Sequence, residues 1–326
     1  MLQFGESSIP ATEFPIPATE FPVRAAELPV YHRRRRSGPR RTGAWYTPWL
    51  FLLIPLGFLA LFSYVPVVNM VGYSATEWDG LSPHKTFVGL DNYVEIFTRP
   101  ALFKVFLVSL YYFGASFVQL AVALYFATIL SFKIKLAKVW KGILFFPYMI
   151  NGVAVGFVFL YFFRPHGTLD SVLSLVGVPA HQWLGDPDTI NYSLAGVSLW
   201  RYLGLNFVLF LGAIQSIPPE LFESSEMDGA SRWQQFRFII LPGIKNVVGL
   251  MSILSIAGSL AVFEVPFIMT GGANGSKTFV IQTIDMAFKF NKFGLASAMA
   301  VVLLLIVLLM TWIQRRIVPD EKGPLT

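Results

Sequence analysis

The sequence predicts an all-α polytopic membrane protein with six transmembrane helices and both termini in the cytoplasm. Three observations carry that expectation. Apolar residues make up 55% of the 326 and charged residues only 13%, outside the usual range for a soluble domain. Six apolar runs of about 20 residues follow one another, the length that crosses a hydrocarbon core of about 30 Å at about 1.5 Å per residue. Basic residues gather in alternate connections, as cytoplasmic loops do. The net charge of +6 therefore reads as a topology signal rather than a nucleic-acid footprint. With no cysteine, disulfides, thiolate metal sites and cysteine nucleophiles are excluded.

Residues 1–45 form a Pro-rich, basic tail in which Ile9-Pro10-Ala11-Thr12-Glu13-Phe14-Pro15 is echoed by Ile16-Pro17-Ala18-Thr19-Glu20-Phe21-Pro22. Dense proline with few bulky apolar residues predicts a disordered cytoplasmic segment. Arg33-Arg34-Arg35-Arg36, with Arg40 and Arg41, reads as an anchor that orients the first helix and touches anionic membrane lipid. The first span runs from about Trp49 to Val71 and contains Pro55 and Pro66, which are expected to bend it. Its length and its long polar leader mark a retained helix rather than a cleaved signal.

The second span covers about Val105 to Ser131, and the link after it carries Lys133, Lys135, Lys138 and Lys141 with no acid. That link is expected in the cytoplasm. The third runs from about Ile143 to Phe163, and the loop behind it, Arg164 to Asn191, holds Asp170, Asp186 and Asp188 with a single arginine, which places it outside. The fourth span is about Tyr192 to Ile217, the fifth about Val247 to Met269 and the sixth about Leu295 to Ile313, closing on Arg315-Arg316. Residues 46–316 thus form one membrane domain, and 317–326 a short cytoplasmic tail.

Catalysis finds no foothold. The four histidines, His32, His84, His166 and His181, fall in the tail or the outer loops, and no His-x-x-x-His or Glu-x-x-His spacing offers a metal site. Gly271-Gly272-Ala273-Asn274-Gly275-Ser276-Lys277-Thr278 resembles a phosphate loop only superficially. It lacks the glycine immediately before the lysine, and topology puts it outside.

One charged stretch between the fourth and fifth spans needs its own explanation. Pro218-Pro219 stops the fourth helix, and Glu220 opens a short helix with acids in its first turn, where the dipole favours them. Gly229 tolerates positive φ and is the natural break before a second short helix. Phe222, Ala230, Trp233, Phe236 and Ile240 recur at helical spacing and predict an apolar face. Two readings fit: a face that docks into a groove on a partner, and an amphipathic linker lying on the membrane.

Glu223-Ser224-Ser225, then Asp228-Gly229-Ala230 and Leu241-Pro242, resembles the cytoplasmic signature loop of bacterial ABC importer permeases, with serine at two positions where the family pattern has alanine. Phe145-Phe146-Pro147-Tyr148-Met149-Ile150, Ser216-Ile217-Pro218, Met269-Thr270-Gly271-Gly272 and Gly294-Leu295-Ala296-Ser297-Ala298 are similar to segments of the carbohydrate branch, the maltose-type and glycerol-phosphate-type permeases. The resemblance covers about Trp49 to Arg316. It implies the type I importer permease fold in a bacterial or archaeal plasma membrane. It also implies a second homologous permease, an ATPase dimer holding ATP and Mg, and an extracytoplasmic solute-binding protein, with no cofactor and no catalytic residue in this chain. Glu223, Ser224, Ser225, Asp228, Gly229, Ala230, Leu241 and Pro242 would form the ATPase-coupling loop, about residues 218–242. The solute would be a sugar, with glycerol phosphate or another polar solute as the alternative. An ion-coupled carrier would instead show inverted repeats and an ion site at broken helices, and the sequence offers one intramembrane acid.

Charges within a span are costly and face a cavity or a partner. Arg201 lies near the middle of the fourth span and Glu264 in the outer third of the fifth. In one reading Arg201, Tyr202, Asn206, Ser255, Ser259 and Glu264 line a solute path. In the other, Arg201 and Glu264 pair with each other or with the second permease.

Overall fold

The computed structural model describes residues 47–132 and 135–317. The expectations for the repeated basic tail, for Lys133 and for residues 318–326 lie outside them. The chain divides into two units, Met1–Pro55 and Leu56–Thr326; the described part of the first is the opening of helix Thr47–Leu59, and the packing below belongs to the second.

Among the described residues, five helices are long and apolar enough to cross a membrane: Trp49–Ser74, Pro100–Ser131, Ile190–Gln215, Lys245–Thr270 and Phe293–Arg316. A sixth crossing requires the pair Ala137–Met149 and Gly152–Phe162, which are bent by 95°. The sequence predicts one straight span there, about Ile143 to Phe163. The break has local causes. Pro147 lies in the last turn of the first half, and Asn151 caps the second half by accepting a hydrogen bond from the Val153 N–H at 2.9 Å, a cap worth about 1 kcal/mol.

In the first span, Pro66 removes the donor that the Phe62 carbonyl would use. The helix absorbs this as a π-turn over Ala60–Tyr64, with the Val65 N–H reaching back to the Ala60 carbonyl. Among the described residues the all-α expectation is modified only by two short antiparallel strands, Thr76–Glu77 and Thr86–Phe87, with Thr76 opposite Phe87 and Glu77 opposite Thr86.

Buried residues gather in three clusters. Leu120, Ala123, Ala127, Phe207, Phe210 and Ile214 join the second and fourth spans, with Ile240 and Ile244 wedged against them. Small Ala123 and Ala127 on the second span let the helix backbones approach, as membrane helix pairs require in the absence of a hydrophobic drive. A second cluster, Tyr112, Val155, Leu194, Val265 and Met269, ties the broken span and the fifth span to the same helix pair. The third packs Ile96 and Phe279 on Leu295, Met299 and Val302 of the last span.

Candidate functional site

The second, fourth and fifth spans enclose a cavity of about 450 Å³. Five of the six path residues expected from the sequence line it: Tyr202, Asn206, Ser255, Ser259 and Glu264. Arg201 is not in the lining. Its Nη1 donates to Glu264 Oε2 at 2.5 Å, with the guanidinium side chain 12% exposed and the carboxylate side chain 41% exposed. The pair forms within the chain, and its acidic end faces the cavity.

Two helix breaks hold this carboxylate. The fifth span interrupts its regular helix over 261–263 and restarts at Glu264, which opens the helix Glu264–Thr270. Gly152, the first residue of the second half of the broken span, packs so closely on Glu264 that a Cβ at this position would collide with the carboxylate. The helix N-terminus at Gly152 and its partial positive charge favour an anion there.

Sequence reasoning missed the second span's contribution. Tyr112, Ser116 and Gln119 also line the cavity, and with the buried Ser109 they recur every three or four residues, one face of a helix. That polar stripe was the available signal, hidden by an apolar background that surrounds the helix on every side. The buried Tyr112 hydroxyl and Arg201 Nε have no partner among the described residues, unusual for buried polar atoms.

At the far end of the fourth span, loop 218–242 folds as two short helices. Pro219–Met227 ends in a Schellman motif: Gly229 has φ +75°, its N–H donates to the Glu226 carbonyl at 3.1 Å, and the Ala230 N–H donates to Ser225 at 2.9 Å. Ser231 then opens Arg232–Gln235 with a capping box, exchanging hydrogen bonds with Gln234. A π-turn over Phe236–Ile240 precedes Pro242, as one precedes Pro66.

Glu223, Ser224, Asp228, Gly229, Leu241 and Pro242 are exposed, while Ser225 and Ala230 are half-buried. The single apolar face expected from helical spacing is corrected. Phe222, Phe236 and Ile240 turn inward onto the chain's own core, because the Gly229 break and the π-turn rotate the two helices out of one register. The large apolar groups left outside are Leu221, Met227, Trp233, Phe238 and Leu241, with Met227 89% and Trp233 65% exposed. Ser225 is turned inward: its hydroxyl donates to the Phe222 carbonyl at 2.8 Å and accepts from Gln235 Nε2 at 3.0 Å. Gln235 is 1% exposed and takes a further bond from Arg232 at 3.0 Å.

The loop after the broken span is pinned by Asp170, which is buried. It accepts from the Trp183 indole N–H at 2.8 Å, the His166 N–H at 2.8 Å and the His181 N–H at 3.4 Å. The indole bond first, then the backbone N–H groups, hold its carboxyl below the ordinary carboxylate range, outweighing burial, which acts the other way. The glycine-rich turn after the fifth span is also closed: Ser276 and Thr278 are buried, and the Thr270 and Ser276 hydroxyls meet at 2.7 Å.

Residues 119–323 match the family described as binding-protein-dependent transport system inner membrane components. The chain belongs to that family. Similar relatives include the probable ABC transporter permease protein YurN of Bacillus subtilis, 34% identical over 283 residues, covering 84% of this chain and 97% of YurN. The multiple sugar-binding transport system permease protein MsmF of Streptococcus mutans is 30% identical, covering 80% and 91%. The arabinooligosaccharides transport system permease protein AraP of Bacillus subtilis is 28% identical, covering 85% and 90%. Among solved structures, a bacterial ABC transporter involved in import of the acidic polysaccharide alginate matches with a TM-score of 0.72 at 24% identity, covering 83% of this chain and 96% of that one. At that identity the likeness shows the permease fold. The family match spans loop 218–242 and the six residues expected to line a path, whereas Tyr112, Ala115 and Ser116 of the cavity lining precede it.

Proposed function

We propose that this chain is one of two homologous permease subunits of an ATP-driven, binding-protein-dependent sugar importer, carrying a disaccharide or oligosaccharide across a bacterial or archaeal inner membrane. In this reading the bent pair counts as one crossing, giving six spans between a cytoplasmic N-terminal tail of residues 1–45 and a cytoplasmic tail of 317–326. Loop 218–242 then lies in the cytoplasm. It seats on an ATPase dimer that holds ATP and Mg, and its exposed Met227 and Trp233 supply the apolar contact. A solute-binding protein delivers the sugar at the opposite face.

The observation that carries the reading is the cavity. Groups from three spans that are far apart in sequence converge on it, and they are of the kind that exchanges hydrogen bonds with sugar hydroxyls: the Asn206 and Gln119 amides, the Ser255 and Ser259 hydroxyls and the Glu264 carboxylate. The printed functions of MsmF and AraP, which name multiple sugars and arabinooligosaccharides, support a saccharide as the solute.

The test is uptake by the reconstituted transporter after a thermal-shift screen of the cognate binding protein has named its ligand. Asn206→Leu with Ser255→Leu removes two hydrogen-bonding groups, each worth about 1 kcal/mol, and is expected to cut uptake by about tenfold or more while ATP hydrolysis continues. Unchanged uptake would remove the cavity from the path.

A further inference from the structure

We propose that the wall this chain contributes to the path accepts uncharged polyhydroxyl solutes and turns away anionic ones such as uronates and sugar phosphates, with Glu264 as the residue that discriminates. This deepens the sugar-path reading and rests on it.

Among the described residues, Glu264 is the one fully charged group in the lining, and no lysine, arginine or histidine lines the cavity. Its compensating cation stands behind it. Arg201 is largely buried, bonds the carboxylate through Nη1, and is absent from the lining. A solute therefore meets the negative end of the ion pair.

On its other side the carboxylate is backed by Gly152, where a Cβ would meet it, and its bond to Arg201 holds it at the cavity wall. An ionised carboxylate accepts hydrogen bonds and donates none. Sugar hydroxyls can donate to it, whereas a solute carboxylate or phosphate brings acceptors against an acceptor. The remaining polar lining, Gln119, Asn206, Ser255 and Ser259, consists of neutral amides and hydroxyls with no full charge to balance a second anion. Where a solute anion comes within ~4–6 Å of Glu264, the like charge disfavours its charged form.

The experiment is saturation-transfer NMR on the assembled transporter in nanodiscs. The probes are maltose and cellobiouronic acid, a disaccharide of the same size with one carboxylate. Maltose is expected to bind at least about tenfold more tightly, the effect of one unit of like-charge perturbation, and E264Q is expected to narrow that gap. Equal binding of the two probes to the wild-type transporter would overturn the discrimination and leave the sugar path standing. An unchanged gap in E264Q would remove Glu264 from the role. Binding of neither probe would fail the sugar reading itself, and this proposal with it.

Discussion

Replacing Gly152 by alanine should reverse its effect on stability according to whether Glu264 is present. Gly152 opens helix Gly152–Phe162, and alanine in a helix is preferred over glycine by about 0.5–1 kcal/mol. Against that gain, the new methyl would collide with the Glu264 carboxylate, which is itself bonded to the largely buried Arg201. Forcing extra atoms against the ion pair costs about 1–3 kcal/mol, so Gly152→Ala alone should destabilise by a net ~0–2.5 kcal/mol. Glu264→Ala alone should also destabilise, since it leaves Arg201 without its partner. In the Glu264→Ala background, however, the collision is gone, and Gly152→Ala should become neutral or stabilising by up to about 1 kcal/mol. The assay is a double-mutant cycle on thermal unfolding of the purified protein in one detergent. Additivity within about 0.5 kcal/mol, the behaviour of independent sites, would refute the close packing of the broken helix on the ion pair.

Ser225→Ala should destabilise loop 218–242 by about 1–3 kcal/mol, because it strands the buried Gln235 amide without its acceptor. Ser224→Ala removes only an exposed hydroxyl that donates to the Leu221 carbonyl at 3.3 Å and should fall within about 0.5 kcal/mol; limited proteolysis of the loop separates the two, and equal effects would contradict the inward turn of Ser225. Asp170, whose carboxyl is held below the ordinary range chiefly by Trp183, contributes stability that is full above the unfolded carboxylate pKa of about 3.9. That contribution is lost as pH falls through the lower folded value. The stability difference between wild type and Asp170→Asn, followed by thermal unfolding against pH, should therefore be constant above about pH 5 and shrink below about pH 4.

The apolar spans and the residues that line the cavity were legible because they rest on composition and on costly charges. A charge in an apolar run cannot be accidental, so Arg201 and Glu264 stood out, and the small polar residues at helical spacing from them followed. What stayed hidden depended on register or on three-dimensional approach. The 95° break between Ala137–Met149 and Gly152–Phe162 was masked by a largely apolar run, although Pro147 and the cap-and-glycine pair Asn151-Gly152 carried its signal. The inward turn of Phe222, Phe236 and Ile240 depended on a π-turn whose extra residue shifts the helical face, a displacement that spacing alone does not reveal. Gly152 could not have been tied to Glu264 from sequence, since 112 positions separate them and the contact exists only once both helices are broken.

In the proposed importer, loop 218–242 transmits ATPase closure to a path bounded by the second, fourth and fifth spans. ATP-driven uptake of the cognate sugar by proteoliposomes holding the complete transporter, measured with Glu223→Ala and Gly229→Pro combined, tests it most directly. Proline cannot adopt the positive φ of Gly229, so the Schellman turn should be lost. The account predicts that uptake and binding-protein-stimulated hydrolysis fall together; full uptake by that variant would contradict it.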